Sequence, residues 1–416
     1  MEEISFDWTA DDFVWPYGTY LTQIPTLEAA RRALGPVSQT VRQARSRLYW
    51  RDGEIRNRGR LRLGMHDRGE EYVFANGNLH GDDRHGQSVH LPLHVKVLRL
   101  KTLRLGPGEV YDITSSHTYW PRLHYREELY VYMHVDRLVV APGAVLQVRG
   151  NVLVLTCDEA VADAPASFPE ASLLDVRILG TDHPAFSQFR RAPAEPGRVG
   201  QNGDPGRSVA PPRPRPSIFG PIHPPSPTNE AATDGGDGAA GADGTHGQNG
   251  GMCMLAAIHL GKLTGFPPGG LCIFGQAGAG RPGASGGDGG AGGNGGSAPQ
   301  APGRGGHGGD GGTGGHGGNG GLSGHIFVEV PTDATAAVTT IAQDSLGGAP
   351  GYGGQGGHPG GGGHRLLLDG TTSADLEPAS DGPPGHRGLD GRPGRGRKGP
   401  RIHILTPAEK PVHQIS

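Results

Sequence analysis

The sequence predicts a mainly β protein in which a β-solenoid-like domain is followed by a polyglycine-II helix bundle interleaved with strands. Short strand-like segments fill residues 91–179, one strand-turn-strand unit recurs among them, and glycine occupies every third position in runs from about Gly197 onward. We therefore expect three regions. They are a helical, aromatic leader with a polar loop over 1–90, the solenoid-like domain over 91–196, and the glycine-rich bundle with strands over 197–416, which includes a proline-rich loop over 208–234.

Composition divides the chain into two different halves. Of the 76 glycines, 62 lie in the last 220 residues, and hydrophobic residues make up only 34% of the whole. The apolar core is therefore expected in the first half and in the apolar islands between glycine runs. The net charge of −3 indicates neither a nucleic acid nor an anionic membrane as partner.

The leader combines aromatic residues with a helical pattern. Thr26 is a candidate N-cap for the segment TLEAARRAL, Gly35 and Pro36 interrupt that helix, and VSQTVRQARSRLYW resumes it. The aromatic residues are expected to cap the end of the adjacent β core. A docking peptide for a partner protein is the alternative interpretation.

A repeat supports the solenoid prediction. The unit that begins at Leu103 and contains Pro107 and Gly108 recurs 35 residues later as the unit with Pro142 and Gly143. In a type II turn, proline presets the first central position and glycine supplies the positive φ of the second. Recurrence of such a unit is typical of solenoid rungs, although a β-sandwich would also show short strands and turns.

The glycine runs alternate with apolar islands that are expected to be strands, namely MCMLAAIHL, LCIF, HIFVEV, VTTI, LLL and RIHIL. A helix with three residues per turn places every third residue on one face, so glycine there allows another backbone to approach closely. We expect lateral hydrogen bonding between runs, with the third residue of each triplet pointing away. A flexible glycine-rich linker is the competing interpretation.

The runs GGDGGAGGNGG and GGHGGDGGTGGHGGNGG resemble the glycine-rich N-terminal domain of Obg-type GTPases and the tip domains of some phage tail adhesins. The resemblance covers about the last half of the chain. It implies a bundle of glycine-rich helices and, for the adhesins, receptor binding by the loops between runs, such as the loop over 208–229. The GTPase activity is not implied, because the sequence contains no GxxxxGK[ST] motif.

Several functional classes lack support in the sequence. Cys157, Cys253 and Cys272 match no zinc or redox spacing and are expected to be buried free thiols. No cofactor is predicted. The acidic N-terminus has no secretory pattern and no run of 18 apolar residues occurs, so we expect a cytoplasmic or particle-associated protein without a membrane span.

Two groups of residues are candidate sites. Carboxylates beside histidines could hold a hard metal ion or act as an acid–base pair, although a solvated loop is the alternative. That metal candidate comprises His66, Glu70, His80, Asp82, Asp83 and His85. A second polar and aromatic group suggests a surface that binds sugars or peptides, and it comprises His117, Tyr119, Trp120, Arg122 and His124.

These observations favour a non-catalytic structural or binding scaffold that presents loops to a macromolecular partner. The partner would be a protein or a cell-surface glycan or receptor, with no role for nucleic acid, and a homo-oligomer is possible. One alternative is a phage or phage-like receptor-binding adhesin. Another is a carbohydrate-active enzyme on a β-solenoid, with catalytic carboxylates in a cleft.

Overall fold

The protein's structure is a computed structural model in which fifteen strands lie within the described residues. It describes residues 2–8, 13–35, 39–51, 70–75, 90–120, 128–163, 172–181, 194–222, 224, 231–367, 371–372 and 376–406. The strands are β1 (Gly18–Ile24), β2 (Leu93–Leu105), β3 (Val110–Asp112), β4 (Leu129–Val140), β5 (Ala144–Arg149), β6 (Asn151–Ala162), β7 (Leu174–Leu179), β8 (Arg215–Ser217), β9 (Gly220–Ile222), β10 (Ala256–Leu260), β11 (Leu263–Thr264), β12 (Leu271–Gln276), β13 (His325–Glu329), β14 (Val338–Gln343) and β15 (Arg401–Leu405).

Two sheets carry the architecture. The larger sheet has eight strands in the order β1-β2-β4-β6-β10-β13-β15, with β11 paired to β6. Its strands run parallel except for β1, which pairs antiparallel to β2. The second sheet has five parallel strands in the order β14-β12-β7-β5-β3. The remaining strands, β8 and β9, form a separate antiparallel hairpin.

The apolar core lies between the two sheets. Inward residues of the large sheet, such as Met133 and Leu155, belong to one buried cluster with inward residues of the small sheet, such as Leu146 and Ile273. Alternate residues of a strand point to opposite faces. The other face of the small sheet therefore carries a different set of side chains, among them Asp175 and Arg177.

In the part of the chain that the structure describes, three short α-helices precede β2. They are α1 (Leu27–Ala33), α2 (Gln39–Arg51) and α3 (Glu70–Phe74). The Thr26 hydroxyl accepts a hydrogen bond from the amide of Ala29 at 3.2 Å, which confirms the predicted N-cap of α1. No described helix has the length and apolar character needed to cross a membrane.

The helices and the aromatic leader cover one end of the outer face of the large sheet. Trp15 lies 5.1 Å from Tyr132 of β4, ring centroid to ring centroid, and its indole nitrogen donates a 2.8 Å hydrogen bond to the carbonyl of Ala33. Phe74 and Val97 belong to the same buried cluster. The leader aromatics thus pack on a sheet face and not on the end of the β core.

The 35-residue repeat is confirmed in space. Leu103 pairs with Leu138 in the large sheet, and Val110 pairs with Val145 in the small sheet. The turns between them also stack, because the amide of Gly108 donates to the carbonyl of Pro142 at 3.0 Å. Both turn glycines have positive φ, 66° at Gly108 and 76° at Gly143, as the Pro-Gly sequence predicts.

Six glycine segments lie side by side and carry neither helix nor strand. Their backbones are joined by hydrogen bonds between segments, such as the 2.8 Å bond from the Gly309 amide to the Gly290 carbonyl. The third and fourth segments each bond four neighbours. In chain order the segments span 197–206, 235–250, 280–296, 303–320, 347–363 and 382–394.

The glycine segments continue the two sheets. The second, fourth and sixth segments precede β10, β13 and β15 of the large sheet, whereas the first, third and fifth follow β7, β12 and β14 of the small sheet. Segments that adjoin neighbouring strands are also bonded to each other, as in the bonds from Gly238 to His307 and from Gly286 to Tyr352, both 2.8 Å. Sheet and glycine segments therefore form continuous layers.

Backbone amides of non-glycine residues in one segment donate hydrogen bonds to polar side chains of a neighbouring segment. Asp237 and Asn249 of the second segment accept hydrogen bonds from the amides of His307 and Asn319 of the fourth, each at 2.8 Å and 70 residues apart. A short side chain with an acceptor atom is needed at such positions, since an unpaired amide is costly. This requirement explains the frequency of Asp, Asn, Ser and His between the glycines.

The predicted fold class, a mainly β protein with a β-solenoid-like domain followed by a polyglycine-II helix bundle, is wrong. The described residues instead form an α/β-like arrangement of a mixed eight-stranded sheet and a parallel five-stranded sheet, with short helices and no closed solenoid. Parallel strands require covered faces and ladder partners. The apolar islands meet this need by pairing with β6 and β7, so the two halves of the chain build the same sheets.

We expect Gly290→Ala to unfold the protein or to lower its melting temperature strongly. A Cβ at this position would lie 2.0 Å from the carbonyl oxygen of Gln201, and a neighbouring backbone cannot rotate away as a side chain can. The matched control is Gly361→Ala, whose Cβ would meet nothing nearer than 3.5 Å, the Asn294 carboxamide oxygen. The melting temperatures are measured by circular dichroism during thermal unfolding. Equal melting temperatures for the two variants would show that this close backbone contact does not limit stability.

Asp243 is one of the side chains that accept hydrogen bonds between glycine segments, so substitutions there test how much these bonds stabilise the fold. Its carboxylate accepts hydrogen bonds from the Thr313 hydroxyl and amide, and these bonds hold its pKa below the ordinary value of 3.8. A lowered folded-state pKa adds stability above the unfolded-state pKa, and this stability is lost as the pH falls through the folded-state value.

We expect Asp243→Asn, which keeps an acceptor oxygen, to melt closer to wild type than Asp243→Ala at neutral pH. Both variants should lose less stability than wild type when the pH falls below about 3.8, because neither carries this titrating group. Melting temperatures measured across this range check the prediction. It fails if Asp243→Ala is as stable as Asp243→Asn at neutral pH.

Candidate functional site

The outer face of the small sheet carries a groove of about 600 Å³ where the sheet meets the glycine segments. Strands β5, β7, β12 and β14 supply its floor, and the first residues after β7 and β12 supply its end wall. The lining residues are Arg149, Asp175, Arg177, Leu179, Gly180, Cys272, Phe274, Gln276, Ala277, Gly278, Ala279 and Ile341.

Strand register orders these side chains in rows across the sheet. One row runs from Gln147 through Arg177 and Phe274 to Ile341, and the next runs from Arg149 through Leu179 to Gln276. Neighbouring strands lie about 4.8 Å apart, so a row of four side chains spans roughly 14 Å. The groove thus offers an elongated surface with both cationic and apolar side chains.

Of the two arginines in the groove, one forms an ion pair and the other forms none with a described residue. Arg177 donates a 2.7 Å hydrogen bond to the carboxylate of Asp175, which also accepts one from the Ser172 hydroxyl. The guanidinium of Arg149 has no ion-pair partner among the residues that the structure describes, and the residue is exposed. The Arg149 charge helps to lower the pKa of the nearby Asp112 carboxyl, but it forms no ion pair with a described residue, so the groove keeps an exposed positive charge although the whole chain has a net charge of −3.

Cys272 lies in the floor of the groove between these polar groups. Burial raises the pKa of its thiol, and the nearby Asp175 carboxylate raises it further. A thiol with a raised pKa stays protonated at neutral pH and is a weak nucleophile. Its side chain therefore contributes a small apolar surface to the floor of the groove, beside Phe274.

A second polar group lies on the uncovered end of the outer face of the large sheet. His134 and Asp136 project from β4, and the imidazole Nε2 of His134 lies 3.1 Å from a carboxylate oxygen of Asp158 on β6. Asp136 accepts a 2.6 Å hydrogen bond from the Tyr17 hydroxyl and is ion-paired with Arg99. The Arg99 guanidinium also lies over the Tyr17 ring, 4.5 Å from its centroid.

The ligand atoms of His134, Asp136 and Asp158 lie within 4.8 Å of one another, close enough for a divalent cation to be considered. Arg99 and Tyr17 already engage one carboxylate oxygen of Asp136 each. A cation at this position would also face the guanidinium charge. The group is therefore best explained as an ion-paired network that ties the leader to the sheet.

The predicted binding group is only partly described. His117 begins a 3-10 helix that ends at Tyr119, whose side chain is exposed, whereas Arg122 and His124 lie outside the described residues. Trp120 is buried with Leu21 and Leu129. Its ring therefore stabilises the fold and has little surface left for a ligand.

Only one of the six predicted metal ligands lies within the described residues. Glu70, the first residue of α3, is fully buried. The other five residues of that prediction, His66, His80, Asp82, Asp83 and His85, lie outside the described residues. Near this region, the buried His90 lies 3.0 Å from a carboxylate oxygen of the buried Glu128, a contact that the sequence pattern did not indicate.

Sequence reasoning did not identify the groove. A signal was present within one strand, where Asp175 and Arg177 alternate with Leu174, Val176 and Ile178. Such alternation predicts one exposed polar face. The neighbours of that face come from β5, β12 and β14, which are up to about 170 residues away in the chain, and no pattern in one strand indicates them.

The chain matches no protein-family model, no curated protein and no solved structure with which it was compared.

We expect Tyr17→Phe to raise the pKa of Asp136. The hydrogen bond from the Tyr17 hydroxyl is the largest cause of the lowered pKa of this carboxyl, and the Arg99 ion pair is a further cause. Tyr119→Phe is the matched control, since it removes an exposed hydroxyl elsewhere. Carboxyl-carbon NMR titration measures the shift, and an unchanged Asp136 titration in Tyr17→Phe would show that the contact is absent in solution.

Proposed function

We propose that the protein is a binding scaffold and that the groove of the small sheet holds an extended acidic polysaccharide. The observation that carries this proposal is the Arg149 guanidinium, which is exposed and without an ion-pair partner in the described part of the chain, in a groove that also contains Phe274 and Gln276. Arginine binds carboxylates and sulfates through paired hydrogen bonds.

The composition of the groove favours a sugar chain over a peptide. Phe274 and Ile341 offer apolar surface against which the C–H face of a sugar ring can pack. Gln276 offers its carboxamide oxygen to a sugar hydroxyl, since its nitrogen donates a 3.3 Å hydrogen bond to the carbonyl of Asp344. An extended peptide usually binds to a sheet edge, where it gains backbone hydrogen bonds. The groove lies on a sheet face, where only side chains are available.

The groups that could perform chemistry in the groove have structural roles. The Asp175 carboxylate is held by Arg177 and Ser172, and the Cys272 thiol is kept protonated by burial. Hydrolysis of a glycosidic bond requires a pair of suitably spaced carboxyl groups. The arrangement supports binding in preference to bond cleavage.

The frame suits a binding role. Parallel strands and hydrogen-bonded glycine segments hold the groove residues in fixed relative positions, so little conformational entropy is lost when a ligand binds. A ligand with several acidic groups can also contact more than one row of side chains. Individually weak contacts then add up along the polymer.

We expect wild-type protein to bind polygalacturonate, with an affinity that falls as salt rises, and to bind neutral dextran much less. Arg149→Gln should weaken polygalacturonate binding about tenfold, since hydrogen bonds to charged groups contribute about 1.5–3 kcal/mol. Isothermal titration calorimetry measures both.

The matched control is Arg137→Gln, which removes an exposed arginine of β4, in the large sheet. The proposal is wrong if wild type does not bind polygalacturonate, or if the two arginine variants bind it equally. Preferential binding of poly-L-glutamate over polygalacturonate would instead indicate a peptide ligand and would overturn the assignment to a polysaccharide.

A further inference from the structure

The proline-rich stretch contains a hairpin that carries large apolar residues at its tip. Strands β8 and β9 pair with two residues, Ile218 and Phe219, between them. The Ser217 hydroxyl donates a 2.7 Å hydrogen bond to the carbonyl of Gly220 and accepts one from the amide of Phe219 at 3.2 Å. These bonds, with φ of 105° at Gly220, close a defined turn.

The tip is unusually exposed. Ile218 and Phe219 are each 94% exposed, and Ile222 is 58% exposed. Two-residue hairpin turns normally contain Gly, Asn or Asp, which adopt the required backbone angles easily. The two large apolar side chains there belong to none of the buried core clusters, and their exposure to water is unfavourable relative to burial. The hairpin therefore presents an apolar tip to solvent.

Three arginines precede this tip in the chain. Arg207, Arg213 and Arg215 are exposed, and no acidic residue occurs between Pro205 and Asn229. Neither Arg213 nor Arg215 forms an ion pair with any residue that the structure describes. The whole chain has a net charge of −3, so this basic segment is a local asymmetry.

We infer that this hairpin docks the protein on an anionic lipid surface, with Ile218 and Phe219 inserted into the interfacial region and the arginines at the headgroups. An apolar tip flanked by cations matches a membrane interface, where apolar side chains enter the acyl boundary and basic residues pair with anionic lipids. The prolines of both strands restrict the backbone, which lowers the entropy cost of presenting the tip.

The small size of the apolar surface favours lipid over a protein partner. A stable protein interface buries about 800 Å² on each side, with its apolar anchors at the centre of a larger patch. Here the anchors stand at the end of a hairpin whose strands are mostly proline, arginine and small residues. One hairpin of this kind gives weak, reversible membrane binding.

The test is sedimentation of the full chain with vesicles of phosphatidylcholine, with and without phosphatidylserine. We expect binding to the vesicles that contain phosphatidylserine and much less to pure phosphatidylcholine. The double variant Ile218→Ser/Phe219→Ser should lose this binding. Arg213→Gln/Arg215→Gln should weaken it about tenfold or more, since each basic residue near the surface contributes about 1 kcal/mol.

Leu389→Ser is the matched control, because Leu389 is 75% exposed and lies in the sixth glycine segment. It should bind these vesicles as wild type does, and so should Arg149→Gln, which separates this proposal from that of the groove. The inference is overturned if wild type does not bind the anionic vesicles, or if the tip variant binds them as well as Leu389→Ser does.

Discussion

Close contact between backbones is the constraint on which this structure depends. In the glycine segments, a Cβ at Gly309 would lie 2.0 Å from the carbonyl oxygen of Ala239, and a Cβ at Gly312 would lie 2.0 Å from that of Ala242. Such spacing leaves no room for any side chain. It also allows each inner segment to bond four neighbours, so that backbone amides and carbonyls are satisfied in a region with little apolar surface to bury.

This stack and the two sheets stabilise each other. Because alternate segments lead into the large sheet and follow the small sheet, the register of the glycine contacts and the register of the strands must agree. The pairing of Ile258 with Val328 in the large sheet, for example, lies shortly after the segments joined by the bond from Gly250 to Asn319. A shift in either part would misplace the other, which makes the whole frame well suited to hold surface groups in fixed positions.

The two proposed binding surfaces lie at different places relative to this frame. The groove lies where the small sheet continues toward the glycine segments, and its end wall is tightly packed backbone, since a Cβ at Gly278 would lie 1.7 Å from the carbonyl oxygen of Thr181. The hairpin leaves the frame between the first and second segments and carries its apolar residues outward.

The local sequence determined many elements of this fold. The Thr26 cap, the Pro-Gly turns with their 35-residue offset and most of the apolar islands follow from propensity and spacing, which act over a few residues. Buried free thiols were also predicted for Cys157, Cys253 and Cys272, and the structure confirms them. The triplet spacing likewise indicated where backbones approach each other.

Only the tertiary structure decided how these elements combine. That β10 pairs with β6 and β12 with β7 depends on contacts about 100 residues apart. These pairings replaced the predicted β-solenoid-like domain and the polyglycine-II bundle interleaved with strands by two sheets that both halves of the chain build. The groove residues Arg177 and Phe274 meet through the pairing of β7 with β12, and Arg149 joins them through the pairing of β5 with β7. The sequence determined which residues could lie close together, but the choice among long-range partners depends on the free energy of the whole packed structure.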